Sequence, residues 1–203
     1  MFKDFTFEKR RKIFHVSGLI LPVIYIYCSK MLLLIVLFPL TIIATYFDVS
    51  RHYNYQVKSI VNNLFGNIMR KSELSGSFRL SGVTYMMSGF LLSATFFSKE
   101  LAITSWFILI ISDTIASLVG IKLGSIKVNE KTIEGSIAFF ASAVFISIIC
   151  YFYISYNTSF MTILISCLIT TLIELYSEEI NINDNLLIPI GYCLVTYILN
   201  IAL

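Results

Sequence analysis

Charge is scarce in this chain. Asp, Glu, Lys and Arg make up 13% of its 203 residues while 57% are hydrophobic, and an ordinary soluble domain carries about 25% charged residues. The shortfall, with a positive mean hydropathy, excludes a soluble globular domain and gives no surface for nucleic acid; it indicates a polytopic membrane protein. Histidine is limited to His15 and His52. The four cysteines, Cys28, Cys150, Cys167 and Cys193, all fall in apolar segments without metal-like spacing, so they read as small buried hydrophobes. Internal repeats, inverted halves and low-complexity tracts are lacking too, and residues 1–203 read as a single integral membrane domain.

What is present is a series of apolar runs near bilayer-spanning length, at about 13–29, 31–47, 82–98, 101–120, 136–154, 160–175 and 186–203. The expected fold is therefore all-α, with about seven transmembrane helices. The first run follows a basic N-terminus but no small-x-small cleavage site, so it reads as a retained helix.

The basic residues divide unevenly. With the N-terminus inside, the segments 3–12, 48–81, 120–135 and 176–185 all face the cytoplasm and hold thirteen of the fifteen lysines and arginines, as expected of cytoplasmic loops. Only Lys30 and Lys99 remain outside, and the C-terminus is expected on the opposite side. In the longest inner connection, Val57, Ile60, Val61, Leu64, Phe65, Ile68 and Met69 recur at helical spacing against Lys58, Asn62, Asn63, Asn67 and Arg70. That pattern predicts an amphipathic helix at the inner interface or packed on the cytosolic ends of the spans.

One apolar run ends on an acid. In "LAITSWFILIISDTIASLVGIKLGSIKVNEKTIEGS", positions 113, 116, 117, 120 and 124 share a helical face and are Asp113, Ala116, Ser117, Gly120 and Gly124. Small faces serve close helix packing, but an aspartate in the apolar region costs about 2.5–3.5 kcal/mol and normally faces a polar cavity or a partner. By the same reasoning an Asp113→Asn change should insert at least as well as the parent. Asp48 and Glu174 lie near the inner ends of two other spans, and Asp184 precedes the last one. Such oxygen ligands, without histidine or cysteine, suit Mg²⁺ completed by phosphate oxygens and water. Lys127 and Lys131 in the adjoining hairpin suit phosphate as point charges.

The order of motifs carries a resemblance. "RRKIFH" (Arg10 to His15), "DVSR" (Asp48 to Arg51), "SDTIASLVGIKLG" with "KTIEGS", Glu174, and "DNLLIPIG" (Asp184 to Gly191) together resemble the family of dolichol kinase, phytol kinase and yeast-type diacylglycerol kinase. The resemblance implies transfer of a phosphate from CTP to a membrane lipid alcohol such as a polyprenol, phytol or diacylglycerol. It brings Arg11, Lys12 and His15 to the site. The run from Asp113 to Gly135 is also similar to phosphatidate cytidylyltransferases, which use CTP too. Their histidine- and glycine-rich C-terminal signature is missing, since the last loop reads "SEEININDN".

These readings give one expected site. Asp113, Glu174 and Asp184 would hold Mg²⁺ on the nucleotide; Lys127, Lys131, Glu134, Gly135, Gly120, Gly124, Arg11 and Lys12 would contact the nucleotide and its phosphates. Asp48 is the first candidate for the base, with Glu174 second, and His15 belongs to the same catalytic set. The remaining alternative is a small transporter with the acids along an ion path, against which stand the odd span count and the gathering of charge on one face.

Overall fold

The computed structural model describes residues 5–69, 73 and 78–202; Lys3, Asp4, Arg70, Lys71 and Leu203, included in the readings above, lie outside the described residues. The described chain is almost wholly helical: α1 (Phe5–Ser17), α2 (Ile20–Tyr27), α3 (Lys30–Ser50), α4 (Tyr55–Phe65), α5 (Gly82–Phe96), α6 (Lys99–Phe107), a π turn (Ile108–Ser112) and α7 (Asp113–Leu123) come first. A hairpin of β1 (Lys127–Val128) and β2 (Lys131–Thr132) leads into α8 (Ile133–Tyr153), α9 (Phe160–Tyr176) and α10 (Asp184–Ala202).

Local chemistry sets many of these boundaries. Ser29, Ser81, Ser98, Thr132 and Ser159 each accept the amide N–H three residues on, and Asn54 accepts those of Gln56 and Val57. Each cap satisfies a free helix-end donor and contributes about 0.5–2 kcal/mol. The hairpin turns at Asn129, whose φ of 54° is a left-handed value that asparagine tolerates, with Val128 paired to Lys131 across it.

Among the described residues four helices are long and apolar enough to cross a membrane: Lys30–Ser50, Lys99–Leu123, Ile133–Tyr153 and Asp184–Ala202. The other expected spans form shorter helices. The 82–98 run gives the 15 residues of α5, the 160–175 run gives the 17 of α9, and the 13–29 run is broken between α1 and α2.

Lys99–Leu123 is the central helix, with 61% of its apolar window buried against 22% for Lys30–Ser50. Trp106 anchors it, stacked between Phe90 (ring centroids 4.3 Å) and Tyr25 (5.3 Å). Its indole Nε1–H donates to Ser93 Oγ at 2.7 Å, which satisfies the one polar atom of a wholly buried ring.

The two ends of the bundle differ in chemistry. At one end Lys30 Nζ donates to the carbonyls of Thr95 and Phe97, closing α5, and Lys99 Nζ donates to those of Ile26 and Cys28, closing α2. A cation there meets the free carbonyls and the negative pole of a helix C-terminus. Thr158 Oγ1 donates to Asn200 Oδ1 at the same end, and Phe97 packs edge-on to Tyr197. The opposite end gathers the ion pairs described below. α1–α2, α3, α5, the Lys99–Leu123 helix, α8, α9 and α10 each run from one of these ends to the other.

Candidate active site

The π turn sits directly before Asp113. Such a turn holds an extra residue in the helix and re-aims the side chains that follow. Asp113 is 5% exposed, and the ammonium of Lys12, itself 2% exposed, lies 2.5 Å from its Oδ2. Lys12 Nζ also donates to the Asp113 carbonyl at 3.1 Å, so one α1 side chain holds both backbone and carboxylate of the acid. His15, one turn along α1, has Nε2 3.6 Å from the same Oδ2 and 3.5 Å from the Leu109 carbonyl. A buried charge pair of this kind forms only where each member would otherwise be stranded away from water.

A second group forms around the hairpin. Lys131 Nζ donates to Glu174 Oε1 and to the Glu174 carbonyl, both at 2.5 Å, and lies 3.3 Å from Ser177 Oγ and 3.5 Å from Asp184 Oδ2. Burial alone would push the Lys131 ammonium down, but the carboxylates of Asp184 and Glu174 outweigh it and hold the pKa above 10.5. Glu174 is buried, and its Oε2 has no hydrogen-bond partner among the described residues. Asp184 lies within electrostatic range of Lys12, Asp113 and Glu174 as well, which joins the two groups into one charged layer.

Asp48 belongs to a neighbouring network and is fully engaged there. Its Oδ1 meets Arg51 Nε at 2.6 Å, and its Oδ2 accepts the Ser81 amide at 2.5 Å and the Thr84 hydroxyl at 2.8 Å. Arg51 spends its other donors on the carbonyls of Glu73 and Arg79. Asp48 thus ties the end of α3 to the start of α5. The Gly82 amide donates to Glu73 Oε1, and the Gly82 carbonyl accepts Asn185 Nδ2 at 3.0 Å. Asn185 follows Asp184, so this network borders the charged layer.

Other expected contacts have jobs of their own. Glu134 accepts the amides of Ser125 and Ile126 and the Ser125 hydroxyl, which clamps the hairpin to the first turn of α8. Gly120, Gly124 and Gly135 let α7, β2 and α8 come together: a Cβ built on Gly135 would stand 2.9 Å from the Ala116 carbonyl, and one on Gly120 2.8 Å from Thr132 Oγ1. Lys127 is exposed on β1. Arg11 is paired with buried Glu8 at 2.8 Å. Glu8 was missed in the sequence, though its spacing of three from Arg11 is that of a helical ion pair. Glu73, Ser177 and the π turn carried no such signal.

Among the described residues no three acid, histidine or cysteine side chains close into a ready-made metal cage; lysines meet the acids instead. The donor set still fits Mg²⁺, which needs only one or two carboxylates when phosphate and water complete its shell, and the partnerless Glu174 Oε2 is one such donor.

No family model matches the chain, and no solved structure matches it. It is 51% identical over 196 residues to the uncharacterized protein RP860 of Rickettsia prowazekii, covering 97% of this chain and 96% of that one. It is 30% identical over 196 residues to the uncharacterized protein MJ1137 of Methanocaldococcus jannaschii, covering 94% and 91%. A third likeness, 32% over 143 residues, is to the CTP-dependent diacylglycerol kinase 1 of Saccharomyces cerevisiae; it covers 68% of this chain and 48% of the yeast protein, about half its length. The chain belongs to one family with the rickettsial and methanococcal proteins.

Proposed function

We propose that this member of that family is a membrane lipid kinase, moving the γ-phosphoryl group of CTP onto the hydroxyl of a lipid alcohol of the polyprenol, phytol or diacylglycerol class. The observation that carries the reading is the charged layer itself: two lysines and three acids, from α1, α7, β2, α9 and α10, gathered at one end of an apolar bundle. Such an end can admit a nucleotide from water and a hydroxyl from lipid. The partial likeness to a protein named as a CTP-dependent diacylglycerol kinase points the same way.

In the reaction the lipid oxygen bonds to the γ-phosphorus, the bond to the β–γ bridging oxygen breaks, CDP leaves, and the hydroxyl proton passes to a base. Catalysis of this kind depends on in-line positioning and charge neutralisation more than on covalent help. Asp113, Glu174 and Asp184 would hold Mg²⁺, which supplies neutralisation of phosphate charge when bound. Lys12, Lys131 and Arg11 would meet phosphate oxygens. Asp48 is not favoured as the base, because both its oxygens are committed to Arg51, Ser81 and Thr84. Glu174, with Oε2 lacking a partner among the described residues, and His15, whose Nε2 lies a long 3.5 Å from the Leu109 carbonyl, keep acceptor capacity.

All seven apolar segments would cross the membrane, with the charged end in the cytosol, the C-terminus outside and α4 along the inner surface. The test is to give purified protein a lipid extract and CTP labelled at either the α- or the γ-phosphate. Only γ-label is expected in the lipid. Lipid carrying α-label would make the protein a cytidylyltransferase, and lipid without label from either would end the enzyme reading.

A further inference from the structure

The contact between Lys12 and Asp113 is awkward for a metal ligand. Lys12 Nζ stands 2.5 Å from Oδ2 and is also fastened to the Asp113 carbonyl, so a cation approaching that oxygen meets an ammonium already in place. The neighbours add to the effect: His15 faces the same oxygen, and Arg11 is held nearby by Glu8. Glu174 differs, since Oε1 is paired with Lys131 while Oε2 has no partner among the described residues.

We infer that Lys12 is a resident counter-ion that closes Asp113 to a bare divalent cation and moves to phosphate oxygens when a metal–nucleotide complex arrives. The inference rests on the reading proposed above and deepens it: metal and nucleotide enter together, and neither binds well alone. The physical reason is charge pairing. A bare divalent ion would displace Lys12 from Asp113 within a buried layer whose other carboxylates, Glu174 and Asp184, already share Lys131, so the ammonium would lose its close charge partner. A metal–triphosphate complex brings its own anionic oxygens, so the ammonium exchanges one partner for another. The four-carbon stem of lysine permits such a move from a fixed helix.

Binding of Mn²⁺ alone, followed by electron paramagnetic resonance on protein in lipid nanodiscs, tests the idea without turnover. Lys12→Gln keeps a donor for Oδ2 and removes the charge. It should bind Mn²⁺ alone at least about tenfold more tightly than the parent and CTP with Mg²⁺ at least about tenfold more weakly. Adding Asp113→Asn to Lys12→Gln should abolish the gain for Mn²⁺. CTP binding by the parent with Mn²⁺ affinity unchanged in Lys12→Gln overturns the counter-ion role and leaves the kinase reading standing. A parent that binds no CTP with Mg²⁺ overturns both. If Lys12→Gln does not fold, the parent carries the test: its unfolding temperature should rise with Mn²⁺ and CTP together, and an equal rise with Mn²⁺ alone overturns the inference.

Discussion

Asp113 was conspicuous in the sequence because an acid closing an apolar run has an energetic cost that some partner must offset. The resemblance brought Lys12 to the same site as a phosphate contact, but its pairing with Asp113 was not legible: Lys12 lies 101 positions away, among basic residues that also mark a cytoplasmic end. The pairing changes what substitution should do. An isolated aspartate would be relieved by Asp113→Asn, but here the change strands Lys12, and breaking a buried pair costs about 3–5 kcal/mol. Asp113→Asn and Lys12→Met should each lower the unfolding temperature in detergent, and the double variant should recover much of the loss. All three should lack turnover per folded molecule. A double variant no more stable than the single ones would mean that the two groups are not energetically paired. Lys131 needs no such rescue near neutrality, since a pKa above 10.5 keeps its charge, and the stability its pairing contributes, until the pH exceeds that ordinary lysine value.

Helices were the most legible part, because apolar runs and capping residues agree on where they begin. Ser29, Ser81, Ser98, Thr132 and Ser159 stand just before the helices they cap. The π turn was invisible, since 99–119 contain neither glycine nor proline to mark an irregularity. The structural part that Asp48 plays was hidden for a related reason: its contact with the start of α5 is tertiary, reaching Ser81 from 33 positions away. The α5–α10 contact has a readable cause once seen. Pro189 lacks the N–H that Asn185 O would accept within α10, and Gly89 passes so close that a Cβ there would stand 2.8 Å from that carbonyl. Gly89→Ala should therefore push α10 away from α5 and move Asp184 relative to Lys131. Overpacking of this sort costs about 1–3 kcal/mol. Turnover per folded molecule should fall by more than the unfolding temperature implies, and full turnover in a folded Gly89→Ala protein would show that the register of α10 does not matter to the site.

Span number and sidedness decide whether this site can meet a cytosolic nucleotide, and the contacts within the bundle bear on the first. Among the described residues four helices reach spanning length and composition. If only those crossed, the connection between α3 and the Lys99–Leu123 helix, which includes α4 and α5, would lie across the membrane from the hairpin. The contacts oppose that arrangement: Asp48 at the end of α3 binds the start of α5, Gly82 there binds Asn185, and Asp184 beside it pairs with Lys131 of the hairpin. The short α5 also spans the same two ends as α3, because Lys30 at the start of α3 reaches the Phe97 carbonyl just past the end of α5. Lys30 and Lys99, the two basic residues at the other end, bind helix-terminal carbonyls there, so their position is explained without reversing the orientation. Single cysteines at exposed positions, in a background with the four native cysteines replaced, test this directly. Asn63→Cys on α4 and Asn129→Cys at the hairpin tip should both resist an impermeant thiol reagent in intact cells and react in inverted vesicles. Asn157→Cys, between α8 and α9, should do the opposite. Asn63 and Asn129 reacting from opposite sides would leave four crossings as the answer and divide the charged end between two compartments.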